Sequence, residues 1–215
     1  MFPSEEKFHE DINAPALVTL PPLSHSQYDL IDSALERIYQ MYCPLDSELL
    51  QREEALENLQ GYLNTQLEPK CDLNLFGSSR NGFGLSASDM DICMTFKNYT
   101  EDPPECYGSA EELLTDISEI LMRNDMVTNV STIINTRVPI VKFNYLYDGK
   151  LYQSDISYYN MLAQRNTELL ALYANLDIRC KKLGYVLKGK EYFFFCSDNF
   201  PQFEFSNKNK FITNF

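Results

Sequence analysis

Asp89 and Asp91 stand two residues apart in Ser-Asp-Met-Asp-Ile-Cys-Met-Thr, where the chain takes on the composition of a strand. Side chains alternate faces along a strand, so the two carboxylates share one face and Met90 and Ile92 take the opposite, core side. Neighbouring carboxylates repel and raise each other's proton affinity unless a cation lies between them. Magnesium suits such a pair, because it takes a few carboxylates and completes its shell with water and phosphate oxygens. Two such ions about 3.5–4 Å apart can stabilise both the attacking and the leaving oxygen of an in-line displacement. Asp155 interrupts the strand-like run Gln153-Ser154-Asp155-Ile156-Ser157 and is the candidate third carboxylate. An Asp-x-Asp by itself reads as a solvated strand face. Its weight here comes from the loop ahead of it, Phe76-Gly77-Ser78-Ser79-Arg80-Asn81-Gly82-Phe83-Gly84. Gly77, Gly82 and Gly84 would be costly in a helix or strand. In a loop they let bare backbone approach phosphate oxygens, with the Ser78 hydroxyl as a donor.

These residues need a scaffold that brings distant segments together. Ser24 or Ser26 caps a helix on which Leu30, Ile31, Ala34, Leu35, Ile38 and Met41 keep helical spacing, and Pro44 ends it. A second helix is expected from about Asp46 to Leu67, started by Ser47, with Leu49, Leu50, Leu56, Leu59 and Leu63 as its stripe. Strands are expected over 72–76 and 90–96 and a helix over 108–122, with Glu111 and Glu112 in its first turn. Three further strands are expected over 127–134, 138–147 and 151–158, the last two joined by the turn Asp148-Gly149. Helices return over 160–173 and 178–187. The order α-α, β-β-α-β-β-β, α-α indicates an α/β (α+β) domain with a mostly antiparallel or mixed sheet.

The chain has 215 residues and a formal net charge of −13. Its longest apolar run, Tyr192 to Cys196, is far too short to cross a membrane, which needs about 20 residues. The first residues, Met-Phe-Pro-Ser-Glu-Glu-Lys-Phe-His-Glu, show no secretory signal pattern. Six cysteines without Cys-x-x-Cys and two histidines argue against a zinc site and for a reduced, cytoplasmic setting. The charge is uneven. Residues 1–125 hold 7 Lys and Arg against 24 Asp and Glu, a net of −17, while residues 126–215 hold 11 against 7, a net of +4. The average would exclude nucleic acid as a partner, but the late cluster Lys181, Lys182, Lys188 and Lys190 restores a surface for phosphate.

Gly-Ser, then Gly-Leu, then Ser-Asp-x-Asp resembles the signature of the DNA polymerase β-like nucleotidyltransferases. The fuller wording, Leu75-Phe76-Gly77-Ser78-Ser79 with Asn81-Gly82-Phe83-Gly84 and Ser88 to Thr95, resembles the terminal uridylyltransferases of the large zinc-knuckle type. Thr136 to Phe143, Asp155-Ile156-Ser157 with Tyr159-Asn160, Asn166-Thr167, and Leu183-Gly184-Tyr185 with Lys188 extend the likeness from about Leu20 to Lys188.

The resemblance implies a nucleotidyltransferase palm with a mixed sheet, flanked by an incomplete helical second lobe. It divides the chain into an extended lead-in (1–23), helices of the adjoining lobe (24–68), the palm (69–159), the start of a helical central domain (160–188) and an atypical tail (189–215). It implies that Asp89, Asp91 and Asp155 are catalytic and hold Mg2+, with Mn2+ as the alternative ion. Phe76, Gly77, Ser78, Ala163, Asn166, Thr167 and Lys188 would bind the nucleotide, Ser78 and Lys188 at the triphosphate and Asn166 at the ribose 2′-hydroxyl. The reaction would add UMP from UTP to an RNA 3′-hydroxyl, with neither DNA nor a membrane as partner. Adenylyl transfer from ATP, or an inactive fragment that binds RNA or a protein, are the alternatives. Tyr158 and Tyr159 read as packing residues and Cys93 as a core filler. After Lys188 the likeness stops. Residues 189–215 hold 8 of the 14 Phe, with four Asn and three Lys, a bias expected of read-through from an intron or a mispredicted exon.

Overall fold

A computed structural model of the chain describes residues 22–99, 103–104 and 109–196, with side chains described to residue 188. Ser24 caps α1 (His25–Tyr42): Gln27 N donates to the Ser24 hydroxyl, and the Gln27 side chain accepts from Ser24 N. Helix α2 spans Asp46–Leu63. Ser47 does not cap it. Leu45 N instead donates to the Glu48 carboxylate at 3.0 Å. The polar stretch 64–70 then leads into β1 (Cys71–Phe76), and Gly77–Ser79 forms a short 3-10 turn. β2 (Met90–Phe96) and α3 (Ala110–Met122) follow, the latter capped by Ser109. Three strands, β3 (Val127–Ile133), β4 (Ile140–Tyr147) and β5 (Lys150–Tyr158), precede α4 (Met161–Leu176) and α5 (Ile178–Cys196).

The five strands form one sheet in the order β1-β2-β5-β4-β3. Every neighbouring pair is antiparallel except β2 with β5, so the sheet is mixed, as the alternation of elements predicts. The crossover from β2 to parallel β5 encloses α3 and the β3–β4 pair, which is how residues more than sixty positions apart become neighbours. The core lies between the sheet and two helices. Leu56, Leu59 and Leu63 of α2 and Leu113, Ile117 and Leu121 of α3 bury against Leu73, Met90, Ile92, Met94, Val141 and Ile156. Burial of apolar surface at roughly 25 cal/mol per Å² holds this layer together. Tyr158 and Tyr159 pack at the edge of this core and Cys93 is fully buried.

Residues 24–68, expected to lie together in an adjoining lobe, divide in the structure. Helix α2 belongs to the core of the sheet because its apolar stripe faces β1, whereas α1 packs on α5. There the Tyr39 and Tyr185 rings meet edge-on at 5.4 Å, and Lys182 pairs with Glu36 at 2.5 Å. Helix α5 does not stop near Leu187. Its backbone continues to Cys196, consistent with the lack of proline between Pro139 and Pro201. The lead-in 1–21 and the tail 197–215 lie outside the described residues. No helix among the described residues is long and apolar enough to cross a membrane.

The β4–β5 hairpin turns through Asp148 and Gly149, both in the left-handed region at φ 48° and 74°. Among the described residues, no atom beyond its own chain neighbours lies within 4 Å of a Cβ built on Gly149. Gly149→Ala therefore costs only backbone strain, about 1 kcal/mol. We expect thermal unfolding to shift down by about 2–4 °C. No measurable shift would contradict this account of the turn.

Candidate active site

One register line across the sheet carries the candidate chemistry. Phe76 of β1 sits opposite Asp91 of β2, Asp91 beside Asp155 of β5, and Asp155 opposite Lys142 of β4. The parallel β2–β5 pairing thus sets two carboxylates from distant segments side by side on the sheet face away from the core. Lys142 Nζ donates to Asp155 Oδ2 at 2.5 Å. Lys142 lies in the quoted run Thr136 to Phe143, yet sequence reasoning assigned it no role; only the cross-strand register reveals it. Asp89 lies one residue ahead of β2 and is exposed.

The Asp91 carboxyl is pushed up to about 6 from its usual 3.8. The chief cause is loss of water, followed by the charges of Asp155 and then Asp89, with Lys142 and Lys188 opposing. The three carboxylates are therefore electrostatically one cluster. Lys188 of α5 is exposed by surface area, but its ammonium lies close enough to Asp91 for the two to interact. Loss of water holds it below the ordinary lysine value, and the Asp91 charge pulls it back up. Among the described residues, no three of His, Cys, Asp and Glu stand as a ready-made metal cage. An all-oxygen pair that repels itself, open on one side, still fits magnesium, which uses one or two carboxylates and takes its remaining ligands from water and phosphate.

The loop at the end of β1 is built for close approach. Gly77 has φ +62°, and a Cβ there would overlap the Asp91 carboxylate. A Cβ on Gly84 would overlap the Ser78 carbonyl, so two glycines let the loop fold onto itself and onto β2. Gly77 N donates to Thr167 Oγ1 at 2.8 Å, and Thr167 Oγ1 donates to Ala163 O at 2.7 Å. The Tyr185 hydroxyl donates to Gly84 O at 2.6 Å. Ser78 is half-buried and lines a cavity of about 540 Å³ together with Tyr39, Arg80, Lys181 and Tyr185.

The predicted residues divide accordingly. Phe76, Gly77, Asp91 and Asp155 come together at one end of the β1-β2-β5 ladder, with Asp89 and Lys188 within electrostatic reach of Asp91. Ala163 sits in the first turn of α4, where its N–H donates to the capping Asn160 Oδ1 at 3.3 Å. Asn166 is exposed on the same helix. Thr167 is only 4% exposed, and its hydroxyl is engaged by Gly77 and Ala163, which ties the loop at the end of β1 to α4. We expect Thr167→Val to leave Gly77 N unpaired at a cost of about 1–2 kcal/mol, seen as a lower midpoint in urea with unchanged slope. An unchanged midpoint would refute this tie.

A five-stranded mixed sheet with paired strand carboxylates beside a Gly-Ser turn defines a nucleotidyltransferase palm. Residues 31–175 match the family described as poly(A) RNA polymerase, mitochondrial-like, central palm domain, and the chain belongs to that family. It is 37% identical over 179 residues to terminal uridylyltransferase 4 of Homo sapiens, which covers 83% of this chain and 11% of that protein. It is 33% identical over 175 residues to poly(A) RNA polymerase GLD2-B of Xenopus laevis, covering 79% of this chain and 31% of the relative. Among solved structures, a GLD-2/RNP-8 complex superposes with a TM-score of 0.67 at 26% identity, over 75% of this chain and 54% of that one. Cid1 in complex with the UTP analogue UMPNPP superposes at 0.60 and 25% identity, over 76% and 47%. The chain thus spans about a tenth of the uridylyltransferase and about a third of the GLD2 relative.

Proposed function

We propose that this chain is the palm of an RNA 3′-terminal nucleotidyltransferase that attaches UMP from UTP to an RNA 3′-hydroxyl and releases pyrophosphate. The observation that carries the reading is the register line Phe76–Asp91–Asp155, ending at the Gly77-Ser78 turn. Asp89, Asp91 and Asp155 would hold magnesium, or manganese in its place, which when bound supplies charge stabilisation at the attacking and leaving oxygens. The chain's own groups do the rest by positioning and charge. Lys142 fixes Asp155. The loop backbone and Ser78 offer donors at the end of β1, and Lys188 brings a cation towards the same carboxylates. Asn166, with Ala163 and Thr167 beside it on the first two turns of α4, would meet the ribose 2′-hydroxyl.

The choice of base is the finer part of the proposal. The 37% identity to a protein named for uridylyl transfer favours UTP, while the GLD2 relative at 33% keeps adenylyl transfer as the second reading. The test is extension of a labelled RNA by the whole chain with magnesium and each nucleoside triphosphate in turn. UTP should extend the 3′ end, and Asp89→Ala should abolish extension. Preferential use of ATP would establish the second reading. No extension by folded protein with any triphosphate would overturn both, and favour a chain that only binds RNA or a partner.

A further inference from the structure

Among the described residues, Arg52 is the only charged side chain in the buried class, at 3% exposure. It occupies the apolar stripe of α2, three residues before Ala55 and four before Leu56, where an aliphatic residue would ordinarily stand. Its guanidinium is spent on one target. Nη1 donates to Ser79 Oγ at 3.2 Å, and Nη2 donates to Ser86 O at 2.9 Å and, at the limit of bonding, to Leu85 O at 3.5 Å. Ser79 Oγ in turn donates to Asp89 O at 2.7 Å. All of these acceptors lie in the segment that joins the Gly77-Ser78 turn to β2. Nε has no hydrogen-bond partner.

A buried cation with an unpaired N–H is costly to desolvate, and its hydrogen bonds go to hydroxyl and carbonyl oxygens rather than to a carboxylate, so stability alone is a poor account of it. The site instead uses what an aliphatic side chain lacks, a rigid fork of donors that can grip two separated points of one loop. One point, Ser79, follows Ser78 directly and reaches the backbone of Asp89; the other, Ser86, lies three residues before Asp89. The geometry points to Arg52 as the positioning residue of the catalytic loop: from α2 it fixes both ends of the 79–89 segment, and through Ser79 it sets where the Asp89 carboxylate and the Ser78 donors stand. The kinetic part rests on the nucleotidyl-transfer reading above, which this inference deepens.

The test compares Arg52→Met and Arg52→Lys with the wild-type chain by thermal unfolding, amide hydrogen exchange and transfer of UMP to labelled RNA. Arg52→Met should melt within about 5 °C of wild type. Amides of 78–89 should exchange at least about tenfold faster while those of β4 keep their protection. The rate constant per folded molecule at saturating UTP should fall at least about 30-fold, because a displacement near 1 Å has effects of that order. Arg52→Lys, which keeps a donor for Ser79 without the fork, should recover part of that loss, a rescue that mere filling of the core would not give. Loop exchange equal to wild type, a folded Met variant within about threefold of the wild-type rate, or failure of both variants to fold would each overturn the proposal. If the wild-type chain transfers no nucleotide, the functional reading falls, and the exchange measurement alone still decides whether Arg52 holds the loop.

Discussion

Asp91→Asn is expected to lower nucleotidyl transfer by about 10³-fold or more while raising the melting temperature of the protein in a metal chelator at pH 7. The two effects share one cause. Asp91 is held against Asp155 by the parallel β2–β5 register, in a place where water is largely excluded, and its carboxyl is pushed up to about 6. A carboxyl moved that far from 3.8 carries about 3 kcal/mol of preference for its protonated form. Solvent reaching the open side of the cleft brings this nearer 1–2 kcal/mol. Because the folded-state value is raised, the folded protein binds this proton more tightly than the unfolded chain. The favourable contribution is complete below about pH 4 and is lost as pH rises through about 6. The amide of Asn never charges, so the variant keeps the stability that wild type loses over that window, a gain of about 3–6 °C in melting temperature at pH 7. Below about pH 4 the two proteins should melt together. The same substitution removes a candidate magnesium ligand, and loss of transition-state charge stabilisation of this kind costs about 10²–10³ or more in rate. Melting curves in chelator across pH 4–8, with incorporation assays in magnesium, decide it. A variant less stable than wild type at pH 7 in chelator would refute the electrostatic account, and retained transfer would remove Asp91 from the chemistry.

Much of the local structure was legible because its signals are local. Ser24 announces α1 through a hydroxyl that satisfies a free N–H group, Glu111 and Glu112 mark the first turn of α3, and Asp148-Gly149 fixes a hairpin because both residues tolerate positive φ. β2 begins at Met90 as its alternation predicts, and Asp91 faces away from the core while Met90, Ile92 and Met94 face into it. What could not be read are the long-range partners. That Asp155 pairs with Lys142 follows from a cross-strand register that no short window contains. The stripe of α2 was legible in Leu56, Leu59 and Leu63, whereas Leu49 and Leu50 are exposed, and Arg52 was an available signal: a cation at core spacing must find buried acceptors. The helix α2 was assigned away from the sheet because an amphipathic pattern shows that a face is buried and not what it is buried against. The tie between Thr167 and the Gly77 turn was equally out of reach, since its hydroxyl is engaged by a Gly77 N–H ninety residues away.

Gly77 offers a second test of the site, one that separates strain from geometry. Its φ of +62° and the Gly149 φ of +74° impose a similar backbone penalty on alanine. The surroundings differ. No atom lies near a Cβ on Gly149, whereas a Cβ on Gly77 would overlap Asp91 Oδ2, with Asp91 Cγ at 3.2 Å. Either the carboxylate rotates out of its line with Asp155 or the turn withdraws from β2, taking the Ser78 donors with it. A shift of about 1 Å at a reacting centre costs on the order of 10²-fold in rate. Gly77→Ala should therefore lose about 10²-fold in nucleotidyl transfer, while Gly149→Ala, matched in backbone strain, keeps the wild-type rate per folded molecule. Stability should separate the two variants far less than activity does. Displacing Asp91 relieves part of its repulsion with Asp155, so Gly77→Ala should melt no more than a few degrees below Gly149→Ala, about 2–4 °C for each kcal/mol. Equal activity in the two variants would mean that contact between the turn and Asp91 does not organise the chemistry. Loss in Gly77→Ala alone would tie the chemistry to the contact between the turn and Asp91, whose side chain supplies the three atoms nearest the added methyl.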